Sequence, residues 1–99
     1  MYTPELLAAA AAREIIRDDL PPVIDKIMER DLDHDDASNG RVDCGLLPVY
    51  RLLRANQWPT TAAERDELLR RWDCSARSLY QWRREVLLCF EICRLDHLQ

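Results

Sequence analysis

Apolar residues recur along the chain at three- and four-residue intervals rather than in alternation, which predicts helices throughout. Thr3, Pro4 and Glu5 read as a helix start, with an N-cap followed by proline at the first helical position. Leu6, Leu7, Ala10, Ile15 and Ile16 give that first helix a buried side, and it is expected to run to about Asp19. Pro21 and Pro22 end it and open a second helix. Here Val23, Ile24, Ile27, Met28 and Leu32 face one way, and Asp25, Lys26, Glu29 and Arg30 the other. So short a proline linker predicts an antiparallel pair. After a turn capped by Asp43, Pro48 opens a third helix with Val49, Leu52 and Leu53 on its apolar side. Asn56 marks its end, Pro59 lies beyond, and Trp58 is placed to cover one end of the core.

The fourth helix opens on the T-x-x-E capping box of Thr61 and Glu64 and buries Ala63, Leu68, Leu69 and Trp72. Asp73 and Cys74 break the repeat, and Ser75 caps a fifth helix that starts near Ala76 and seats Leu79, Trp82 and Val86 on the fourth. No Gly or Pro follows Glu85, so the fifth helix is expected to continue to residue 98. Val86, Leu87, Cys89, Phe90, Cys93 and Leu95 make it apolar on more than one face, which calls for cover beyond the N-terminal pair. The pattern predicts an all-α, five-helix single domain over residues 1–99. An acidic helical pair and loop (1–43) precede a tri-helical unit with an extended last helix (44–99).

Residues 61–86 resemble the helix-turn-helix units of bacterial and phage regulators, recombinases and transposases. The residues carrying the resemblance are Asp73, Cys74 and Ser75 at the turn, Leu79 and Trp82 four and seven positions beyond that Ser, and the ending SLYQWRRE. Asp73 stands where Gly is usual, and Leu69 where a small Ala is usual. The resemblance implies that the fifth helix enters the major groove of duplex DNA. Ser75, Ala76, Arg77, Tyr80, Gln81 and Arg84 then match outward positions. Arg77 and Arg84 suit guanine and Gln81 suits adenine. Arg70, Arg71 and Arg83 match phosphate contacts. A homodimer through the last helix would cover its apolar excess and present two such readers.

Charge is consistent with a basic element on an acidic body. The 99 residues carry a net charge of −4. Residues 1–43 hold five basic and eleven acidic side chains, and residues 44–99 hold nine basic and seven acidic. Between residues 70 and 84 five Arg face Asp73 alone. The most acidic stretch, 31–43, is expected to be an exposed loop with an Asn-Gly turn at residues 39–40. It partly resembles a calcium-binding EF-hand loop starting at Asp35. Ala37 occupies a ligand position, and Leu46 stands where the bidentate Glu belongs, so no metal is assigned.

Cys44, Cys74, Cys89 and Cys93 do not form the pattern of a secreted disulfide scaffold, and the N-terminus has no leader pattern. No apolar run spans a bilayer, so a cytoplasmic protein without membrane association is expected. Cys89, Cys93 and His97 lie four apart on one helical stripe, but a zinc site takes ligands from a second segment, so core cysteines are expected. His34 and His97 are expected to face solvent. No phosphate-binding loop, dinucleotide fingerprint or nucleophile elbow occurs, so neither an enzyme nor a cofactor is expected. The alternative to a DNA-binding regulator is a small acidic inhibitor or anti-activator that binds a protein partner.

Overall fold

The computed structural model describes residues 3–12, 14–15 and 20–97. The protein is all-α, with five helices: α1 Pro4–Ala12, α2 Pro22–Ser38, α3 Leu46–Arg54, α4 Ala62–Trp72 and α5 Ala76–Asp96. No strand occurs among the described residues. The helix boundaries follow from local chemistry. The Leu6 amide donates to the Thr3 hydroxyl at 3.1 Å, the Glu64 amide to the Thr61 hydroxyl at 3.1 Å, and the Ser78 amide to the Ser75 hydroxyl at 3.1 Å. Each bond satisfies a donor that the first helical turn leaves without a partner. The capping box is shifted by one residue, because the Glu64 carboxylate accepts from the Thr60 amide and not from Thr61.

Three helices end in the same way, on a residue with positive φ: Gly40 (71°), Asn56 (55°) and Asp73 (51°). Paired backbone bonds close each end. Arg41 N donates to Asp36 O at 2.8 Å, Gln57 N to Leu52 O at 2.8 Å and Cys74 N to Leu69 O at 3.1 Å. A second bond joins Gly40, Asn56 and Asp73 to the carbonyls of Ala37, Leu53 and Arg70. This is the Schellman arrangement, and Gly, Asn and Asp are the residues that enter the left-handed region at least cost.

The expected acidic loop over 31–43 is instead largely helix, because α2 continues to Ser38. The reason is the stripe Ile24, Met28, Leu32 and Asp36, four apart and all buried. Burial along that stripe overrides the weak helix propensity of the aspartates. Asp36, only 6% exposed, ends the stripe in place of a hydrophobe. Its two carboxylate oxygens accept from the Leu46 and Leu47 amides, each at 2.9 Å, and its Oδ1 also accepts from Arg41 Nε at 3.0 Å. A carboxylate at the positive end of α3 is favourable, and this one caps α3 from ten residues upstream. The α3 start is therefore Gly45 and Leu46 rather than the expected Asp43 cap and Pro48 opening. Gly45 has φ 127°, and a Cβ there would sit 2.6 Å from Asp36 Oδ1. The EF-hand alignment fails for the same reason, since residues 35–38 are helical and Asp36 serves α3.

The core joins Ile24, Met28 and Leu32 of α2, Leu46, Leu47, Val49 and Tyr50 of α3, Leu68 of α4, and Leu79, Val86, Leu87, Phe90 and Cys93 of α5. Tyr50 is fully buried, and its hydroxyl donates to Asp25 Oδ1 at 2.6 Å, an oxygen that Arg54 also reaches at 2.9 Å. The expected apolar side of α3 is rotated accordingly: Leu52 and Leu53 are only half-buried, and Tyr50 takes the centre.

Two packing expectations change. The main partner of α1 is α5 rather than α2, while α2 packs on α3 and α5. The alanine-rich α1 allows close approach to the helix with the most apolar surface to cover. Residues 14–15 already lie outside α1, with Ile15 entering the core from the connection, and the expected end near Asp19 falls outside the described residues. α5 runs as one helix of about 31 Å, and α1, α2 and α3 of the same chain cover it. The apolar excess that suggested a second subunit is thus largely met within the chain, although Leu95 remains 46% exposed.

Candidate nucleic-acid interface

Three residues, Asp73, Cys74 and Ser75, separate α4 from α5. The turn is sharp because Asp73 adopts φ 51°, ψ 51°, and because Ser75 caps α5 at once. From that start the two sides of α5 diverge. Arg77, Tyr80, Gln81 and Arg84, at helical spacing, are all exposed, whereas Leu79 and Val86 on the other side are fully buried. Ser75 is exposed at the helix entrance. On α4 only Leu68 is buried; Leu69 and Trp72 are half-buried, and Ala63, expected inside, is exposed.

The remaining expected site residues separate by their partners. Arg70 is exposed but ion-paired with Glu67, one helical turn away. Arg71 is exposed with no ion pair. Arg83 does not project freely. It is half-buried, with its guanidinium 5.2 Å from the Trp58 ring centroid, and its Nε is enclosed without a hydrogen-bond partner. Trp58 also meets the Tyr80 ring, with centroids 6.3 Å apart and planes tilted by 59°. Arg65 joins this cluster from α4. Hydrogen bonds to the Tyr80 hydroxyl and then to Asp66 raise its pKa above the ordinary arginine value. Trp58 and Arg65 were not among the expected site residues; the signal was an aromatic just before the capping box, read only as core cover.

Ion pairing sorts the described arginines by position. Arg30, Arg41, Arg51, Arg54, Arg65, Arg70 and Arg94 each lie against a carboxylate. Arg71, Arg77, Arg83 and Arg84 do not, and all four lie on the turn-flanking part of α4 and α5.

Other chemistry has less geometry behind it. Burial pushes the thiols of Cys44, Cys74, Cys89 and Cys93 up from their ordinary value, so they stay protonated at neutral pH. His97 is exposed, and its Nδ1 lies 2.9 Å from the Cys93 carbonyl oxygen. His34 is exposed on α2. Among the described residues no three His, Cys, Asp or Glu side chains converge where they could hold a metal ion, and no helix is long and apolar enough to cross a membrane. No protein-family model, curated protein or solved structure matches this chain.

Proposed function

We propose that the protein is a small DNA-binding regulator that presents the exposed side of α5 to the major groove. The observation that carries this reading is the concentration of exposed guanidinium groups without a carboxylate partner at Arg71, Arg77 and Arg84, with Arg83 beside them over Trp58, in an otherwise acidic, ion-paired chain. Phosphates supply the missing anions, and displacement of their counterions supplies the affinity. In this reading Arg77, Gln81 and Arg84 meet base edges, while Ser75, Tyr80, Arg70, Arg71 and Arg83 contact the backbone. The three-residue turn with a left-handed Asp73 supports it, since helix-turn-helix units join their two helices by a turn of this length.

The test is a mobility-shift titration against random and genomic duplexes at low and physiological salt. Retention that weakens steeply with salt, and further in Arg77→Ala/Arg84→Ala, is expected. Absence of retention at low salt overturns the reading. A second reading, an acidic protein that binds another protein, is favoured by a groove between α2 and α5 whose lining includes Asp31, Asp35 and Glu85.

A further inference from the structure

A groove of about 630 Å³ runs along the junction where α2 packs on α5. Met28, Asp31, Leu32 and Asp35 line its α2 side. Glu85, Leu88, Cys89 and Ile92 line the other. Both sets follow the same spacing of three, four and seven residues, so each helix turns one continuous face to the groove. Two such faces side by side leave the slot into which the side chains of a third helix pack.

Charge selects among possible occupants. Arg41 is the one cation in the lining, and it is already bound to both Asp35 and Asp36, at 3.0 Å each. The Arg30–Asp31 pair joins adjacent, mostly exposed side chains, so it neutralises Asp31 weakly. Glu85 makes no ion pair. Cys89 and Cys93 are held as neutral thiols by burial and add no charge of their own. An apolar floor under an anionic rim repels nucleic acid and acidic peptides and attracts a cationic, apolar-faced one.

We infer that the α2–α5 groove is a docking site for a basic amphipathic helix of a partner protein, with apolar residues at three- and four-residue spacing seated on the half-buried Cys89 and Ile92, and flanking Lys or Arg meeting Asp31, Asp35 and Glu85. This deepens the protein-binding reading and stands independently of DNA recognition. The groove uses α5 from Glu85 onward, whereas the exposed arginine side ends at Arg84.

The probe is a synthetic helix of about four turns built from Leu and Lys, titrated into the isotope-labelled full chain. The expected result is saturable shifts of the amides of residues 28–35 and 85–92, weakened by salt. A matched peptide with Glu in place of Lys leaves them unmoved. Asp31→Lys/Glu85→Lys, both at sites with solvent access, lowers affinity by about tenfold or more. Should that variant misfold by circular dichroism, Asp31→Asn/Glu85→Gln is used instead, with a loss of about threefold expected. Lys-peptide binding that maps elsewhere, or that survives the charge changes, overturns the groove assignment while leaving protein binding standing. Absence of any peptide response overturns both. Concentration-dependent sedimentation with the same amides shifting identifies a second copy as the occupant and overturns the inference.

Discussion

The α2–α3 corner and the α4–α5 corner both bring charge to a helix junction, and they use it in opposite ways. At the first, Asp36 is buried and its carboxylate is taken up by two α3 amides and Arg41. Along α2, Asp25, Glu29, Asp31 and Asp35 also have arginine partners. At the second, the turn is closed by backbone bonds and by Ser75, and Arg77 and Arg84 of the fifth helix are exposed and make no ion pair. The segment that looked like a solvent-exposed charge run is structural, and the basic run beyond the turn is left over. A charge already satisfied within the chain explains stability, whereas charge left without a partner is available for binding.

The sharpest way to break this comparison is Asp36→Ala. It leaves the Leu46 and Leu47 amides and Arg41 without their shared acceptor, so a loss of about 3 kcal/mol is expected, read as a lower urea midpoint. A loss below about 1 kcal/mol would show that water replaces the carboxylate at little cost and that the corner is not held by charge. Next comes the opposite experiment at the other corner. Arg77→Ala/Arg84→Ala should change stability by no more than about 0.5 kcal/mol while weakening duplex binding by about tenfold or more. Arg51→Ala, which removes a side chain paired with Glu29, serves as the matched control and should leave duplex binding unchanged. Equal losses in the two variants would show that pairing does not separate structural from binding arginines.

Tyr50→Phe probes the buried neutral partner of a half-buried carboxylate, Asp25. Removing its hydroxyl should cost about 1 kcal/mol at neutral pH. Burial, followed by the hydrogen bond to Asp25, raises the Tyr50 pKa above its ordinary value. The native state therefore holds this proton more tightly than the unfolded chain. The resulting stabilisation is complete below about pH 10 and is lost as pH rises further. Wild type should fall in stability above that pH more steeply than the Phe variant, and parallel curves would remove the ionisation argument. The smallest effect is expected at Trp58→Leu. It keeps apolar cover but removes the ring face beneath Arg83, and duplex binding should weaken about threefold at low salt, with Trp58→Phe restoring it. An unchanged affinity would free Arg83 from the interface.

Much of the fold was legible because it is written in local chemistry. Thr3, Thr61 and Ser75 cap helices where their short polar side chains predict. Asn56 and Asp73 end helices in the left-handed region they tolerate. The outward residues of α5 were also readable, because Leu79 and Val86 fix its rotation and leave Arg77, Gln81 and Arg84 on the other side. The partnerships were not. Nothing near Asp36 in the chain announces that its acceptors serve Leu46 and Leu47, although its place four residues beyond Leu32 in a buried stripe was a usable sign. Nor does the sequence say that Trp58 lies against Arg83 and Tyr80.

Capping residues, helical spacing and the imbalance of charge between the two halves were determined by the amino-acid sequence alone, since each depends on atoms within a few residues of one another. Which helix covers α5, which carboxylate closes α3 and which arginines remain without a partner were decided only in the folded chain. Those outcomes depend on contacts between distant segments. A charge is committed or left available according to what the tertiary structure brings within hydrogen-bond reach of it.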